Sequence, residues 1–175
     1  MDNIVKLLGA SLIMLSGSLI GWIFSLFYKN RVKELENLKT ALTLLENEIK
    51  FNHTRLSYSL KLSAKAVKPP ISTIFLKSGE ELEKEPGKEF ITIWQEVIEA
   101  ERDNTSLIKE DFELLREWAS KIELTSLDGQ TNIHQASINK LEVTIENARK
   151  AADKKVKLSR YTGTLLSLLI IILFY

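Results

Sequence analysis

The chain has 175 residues, 24 Lys and Arg against 23 Asp and Glu, and no cysteine. The missing cysteines exclude a disulfide scaffold, thiolate metal sites, iron–sulfur ligation and a thiol nucleophile. A net charge of +1 sets the chain apart from proteins that seek nucleic acid through a basic surface, and the length suits one domain with appendages.

The charge is confined to the middle. Before Lys29 only Asp2 and Lys6 are charged, and after Arg160 nothing is. Residues 7–28 form an uncharged run of 22. As a helix this run reaches about 33 Å at ~1.5 Å per residue, enough for a hydrocarbon core about 30 Å thick. Trp22, Phe24, Phe27 and Tyr28 gather at one end, where an aromatic belt lies. A cleaved secretory signal fits less well. Its apolar core is about 7–15 residues long and follows a basic segment, whereas Lys6 is the lone basic residue here. Gly17 and Gly21 make a G-x-x-x-G face that admits close approach of a second span or another subunit.

Helical periodicity dominates the middle, and no stretch alternates strictly enough for a strand. Leu35, Leu38, Leu42, Leu45 and Ile49 form one stripe at spacings of three and four, with Val32 leading into it. No Gly or Pro separates this helix from the first span. A break is expected near Asn52, His53 and Thr54, with Thr54 capping a helix through Leu56, Leu60 and Val67. The residue before a proline is biased out of the helical region, so that helix stops near Lys68. Pro70 then opens a helix burying Ile71, Ile74, Phe75 and Leu82, despite Gly79.

Pro86 and Gly87 make a turn. Phe90, Ile93, Trp94, Val97 and Ile98 follow at i, i+3, i+4, i+7 and i+8, an amphipathic helix. Residues 103–106 break it, and Ile108, Phe112, Leu115, Ala119 and Ile122 mark the next. Residues 125–129 read as a loop with capping residues. The last helix carries Ile138, Leu141, Ile145, Ala148 and Ala152 and needs no break before the second apolar run.

That run, residues 161–175, reaches only about 22 Å as a helix. Snorkelling of Lys155, Lys157 and Arg160 and local bilayer thinning can extend its span. The alternative, a buried C-terminal helix, requires apolar cover on every side, which a small protein hardly supplies. Lys and Arg flank the inner ends of both runs, so the positive-inside rule puts the middle in the cytoplasm and both termini outside. The basic flank at 149–160 also reads as an anionic-lipid or nucleic-acid patch. The expected fold is all-α. It is an antiparallel bundle of about six helices inserted between two transmembrane helices. The expected domains are a membrane helix at 1–28, a cytoplasmic helical domain at 29–160 and a short membrane helix at 161–175.

Catalytic signals are lacking. There is no phosphate-binding glycine loop. His53 and His134 stand far apart in sequence, and His134 shares the stripe of Ile138 and Leu141. Glu46 and Glu48 lie two apart and so point to different helix faces. No catalytic, cofactor or metal residues, nucleic acid or small-molecule substrate are expected. Charge is instead segregated. Residues 29–68 hold nine basic and four acidic side chains (+5), residues 77–124 seven and fourteen (−7), residues 125–160 seven and four (+3). The acidic segment either steers a basic partner or is a solvated face.

Several stretches carry a resemblance. They are Val5-Lys6-Leu7-Leu8-Gly9-Ala10, the run from Leu35 through Glu46 and Glu48 to Ile49, His53-Thr54-x-Leu56, Pro70-Ile71-Ser72-Thr73-Ile74-Phe75, and Lys157-x-x-Arg160-Tyr161-x-Gly163. In these, and in length and layout, the chain resembles the stage III sporulation protein AB family of endospore-forming bacteria. One stretch departs from the family pattern: residues 114–124 read LLREWASKIEL, with Trp118 and without glycine. Asp128-Gly129-Gln130 after it is a looser version of the family's Asp and Gln.

The family is similar to the inner-membrane platform protein of type II secretion and type IV pilus machines. The resemblance implies a mother-cell membrane platform of the channel to the forespore, coupling a secretion-type ATPase to other channel proteins of the stage III sporulation operon. The acidic residues between Glu80 and Glu117 are then the candidate ATPase-facing surface, Glu80, Glu81, Glu83 and Glu85 among them, and Glu46 and Glu48 read either as contacts or as solvated side chains. The rival reading is a membrane-tethered coiled coil with no ATPase partner. Pro69, Pro70 and Pro86 speak against one long coil, and oligomeric state stays open.

Overall fold

The computed structural model describes the backbone of residues 2–52, 55–123 and 127–174, and the side chains of these except at 2–8, 50–52, 122–123, 127–135, 160 and 173–174. His53, Thr54 and residues 124–126 lie outside it, as do the side chains of Ile122, Asp128, Gln130 and His134.

Six α-helices run in chain order: α1 (Asp2–Asn52), α2 (Leu56–Lys65), α3 (Ile71–Lys84), α4 (Phe90–Ala100), α5 (Lys109–Glu123) and α6 (Leu127–Phe174). A 3-10 turn, Arg102–Asn104, lies between α4 and α5. Among the described residues there is no strand. The fold is the expected all-α bundle. α1 ends and α3 begins where the turn signals put them, with Pro70 at the N-cap of α3. α6 begins at Leu127, inside the stretch expected to be a loop. A single glycine such as Gly129 costs a helix only about 1 kcal/mol, which does not stop it.

The chain forms two units, Lys33–Glu146 and the pair Met1–Val32 with Asn147–Tyr175. In the first, α2 packs on α3, α3 on α4 and α4 on α5. The apolar stripes meet here: Leu35, Leu38, Leu42 and Leu45 of α1, Ile71, Ile74 and Phe75 of α3, Phe90, Ile93, Trp94, Val97 and Ile98 of α4, and Leu141 of α6 are buried. Trp118 is part of this core. Its ring centroid lies 5.0 Å from Trp94 and 6.0 Å from Phe90, and Phe75 meets Trp94 edge-on at 5.3 Å. Such aromatic contacts contribute ~0.5–1.5 kcal/mol each beyond area burial.

In the second unit the G-x-x-x-G face meets α6. A Cβ on Gly163 would stand 2.5 Å from the Gly17 carbonyl oxygen and 3.3 Å from Gly21 Cα. The Ser159 hydroxyl donates to the Gly21 carbonyl at 2.9 Å. The small residues thus let two backbones touch. On the outside, Leu12, Leu15, Leu19, Ile23, Leu165, Leu169 and Ile172 are exposed.

Candidate partner-binding surface

Glu80, Glu81 and Glu83 occupy the last turns of α3, and Glu85 is its C-cap. The last helical carbonyls favour cations, so four carboxylates in this place require basic neighbours. Three of the four have them. Lys84 Nζ lies 2.7 Å from Glu81, Lys61 Nζ 2.6 Å from Glu83, and Lys88 Nζ 3.3 Å from Glu85 and 2.7 Å from Glu96.

The same holds along the acidic segment. Glu99 binds Arg102 and Arg116 at 3.0 and 2.7 Å, and Glu113 faces Lys109 at 3.9 Å. Glu117 takes Lys121 and Lys140 at 2.5 and 2.6 Å. The hydrogen bonds from Lys121 and then Lys140 pull its carboxyl down to about 2. The buried Glu101 accepts from Lys77 Nζ at 2.5 Å and from Asn104 Nδ2 at 3.0 Å, which holds its pKa below the usual carboxylate value.

Every basic side chain between 77 and 124 is therefore committed to a carboxylate. Glu80, Glu89, Asp103 and Glu110 are exposed and make no ion pair with the described residues. Among the described residues of this segment these four are the exposed acids outside the ion pairs. The sequence reading spanned all four without separating them from the paired acids, because charge counting cannot tell a paired carboxylate from an unpaired one. Glu46 and Glu48 are half-buried in α1, and each is already engaged within the protein.

A different carboxylate fixes the entry to α5. Glu34 Oε2 accepts the Ser106 backbone N–H at 2.7 Å, and Asp111 Oδ2 accepts that of Ile108 at 3.0 Å. Burial raises the Glu34 pKa, opposed by the Ser106 bond. Among the described residues no group of three or more His, Asp or Glu side chains is placed to hold a metal.

These features define a helical bundle with an acidic, largely ion-paired surface. The chain belongs to the stage III sporulation protein AB family, whose pattern it matches over residues 6–175. It is 29% identical over 170 residues to stage III sporulation protein AB of Bacillus subtilis (strain 168), covering 97% of this chain and 98% of that protein. Its fold is similar to a solved structure of stage III sporulation protein AB (SpoIIIAB). The TM-score is 0.67 and the identity 26%, over 71% of this chain and 97% of that one. Family membership assigns the chain a role in sporulation.

Proposed function

We propose that this protein is a non-enzymatic platform of the mother cell–forespore channel. Two spans hold it in the mother-cell membrane, and its bundle couples a cytoplasmic secretion-type ATPase to other channel proteins of the stage III sporulation operon. One observation carries the membrane part of this reading. α1 and α6, 51 and 48 residues long, each join a charge-free apolar segment to a core-forming stripe without a break. Within α1, Gly9–Ile49 contains a stretch long and apolar enough to cross a bilayer. An exposed apolar surface this continuous is costly in water, at about 25 cal/mol per Å². Acyl chains remove that cost. The unbroken helices would pass a load on the bundle to the membrane as a rigid-body movement.

The acidic surface supports the ATPase half of the proposal, since unpaired carboxylates steer a basic partner and set its register. Full-length protein in detergent should bind the ATPase of its own operon. Reversal to Lys at Glu80, Glu81, Glu83 and Glu85 should weaken that binding about tenfold, equal to about 1.4 kcal/mol. Helical circular dichroism should be unchanged. Reversal at Glu80, Glu89, Asp103 and Glu110, which breaks no ion pair, should weaken it as much. Wild-type affinity in both folded variants would remove this surface from the coupling.

A further inference from the structure

The two helical segments of the Met1–Val32 and Asn147–Tyr175 unit enclose a groove of about 380 Å³. Ile20 and Phe24 of α1 and Leu158 and Leu166 of α6 form its walls. At one end stand Tyr28 and Lys155, with the Lys155 ammonium 5.0 Å from the centroid of the Tyr28 ring. Among the described residues Lys155 is the one charged side chain lining the groove. The hydroxyls nearby are already used: Ser159 donates to Gly21 and Thr162 to Leu158, at 2.9 and 2.7 Å. A long apolar trough thus ends in a single cation.

We infer that this groove binds an anionic phospholipid, with the phosphate on Lys155 and one acyl chain along the trough. The inference rests on the proposal that both segments lie in a bilayer. The dimensions fit. Lys155 to Leu166 is eleven residues, about 16 Å of helix, all of it available to an acyl chain. Lys155 stands six residues before Tyr161, about 9 Å outside the uncharged run, and lysine reaches back along its stem to headgroup depth.

Charge complementarity selects this occupant. Arg149, Lys150, Lys154, Lys155, Lys157 and Arg160 face one acid, Asp153, in the same stretch. Basic pockets between membrane helices on the cytoplasmic side favour anionic headgroups. A second copy of the apolar segments would fit worse. Neither uncharged run offers a carboxylate, so Lys155 would be covered without a counter-charge. A zwitterionic lipid would bring a second cation to the same place.

The test is native mass spectrometry of the full chain, released from mild detergent containing equal phosphatidylglycerol and phosphatidylcholine. The wild type should retain phosphatidylglycerol about fivefold over phosphatidylcholine. Lys155→Ala should lose that preference, while Lys155→Arg and Lys154→Ala keep it. Three results would overturn the site: undiminished preference in Lys155→Ala, equal loss in Lys154→Ala, or a lipid-free dimer as the retained species. Flotation with neutral phosphatidylcholine vesicles separates the two levels. A chain that floats without lipid preference loses the lipid site alone. A chain that does not float loses the bilayer reading and the site with it.

Discussion

Glu34 is a carboxylate held inside the bundle by a backbone N–H, and its burial raises its pKa above 4.5. The sign of the effect on stability follows from proton binding. Between 4.5 and the folded value, the folded chain keeps a proton that the unfolded chain has released, so stability falls as pH rises through that window. Glu34→Gln removes the titration and keeps an acceptor for Ser106. The stability of this variant relative to wild type should therefore grow as pH rises above 4.5, by urea denaturation of the detergent-solubilised chain. A difference constant with pH would contradict this account. Glu117 acts in the opposite sense. Its folded pKa of about 2 adds stability that is complete above 4.5 and lost as pH falls toward 2. Because both of its ion pairs are solvent-exposed, that contribution is small. Nothing in the sequence marked Glu34 as buried, since it sits one residue before the core position Leu35 in an otherwise charged turn. Trp118 stands three residues after Leu115, but only the structure shows its ring packed on those of Phe90 and Trp94.

At the level of single helices, Gly79 separates propensity from packing. In mid-helix a glycine gives up about 1 kcal/mol to alanine. Yet a Cβ at this position would stand 2.7 Å from the Ser57 carbonyl oxygen and 2.7 Å from Lys61 Cγ. The lysine stem can move, but the α2 backbone cannot without separating the helices. Overpacking of this kind costs about 1–3 kcal/mol and exceeds the propensity gain. Gly79→Ala should therefore lower stability by about 1 kcal/mol or more, read as a reduced urea midpoint. An unchanged or higher midpoint would mean that α2 and α3 are free to shift. The sequence showed Gly79 only as a tolerated interruption of the α3 stripe. The G-x-x-x-G face was different: Gly17 and Gly21 were named as suited to close packing, and the structure brings Gly163 against them. A small-residue spacing within one helix announces a contact, whereas a lone glycine says nothing about its partner.

For the whole molecule, the decisive property is which side of a membrane the charged middle occupies. The chain has no native cysteine, so single cysteines at Asn3, Lys88 and Tyr175 report cleanly. In intact cells a membrane-impermeant maleimide should label positions 3 and 175, and should reach position 88 only after lysis. Labelling at 88 in intact cells would place the bundle outside and remove the ATPase coupling. By itself the sequence determined the helical class, the breaks before α3 and α4, the core stripes and the separation of charged from uncharged segments. These are local or periodic properties, set by 3.6-residue spacing, proline, and runs without charge. Tertiary structure alone decided which carboxylates are spent on lysines, which glycine touches a backbone, and that a lone lysine closes an apolar groove. Each of these depends on residues far apart in the chain meeting at a few ångströms, which no spacing within one helix encodes.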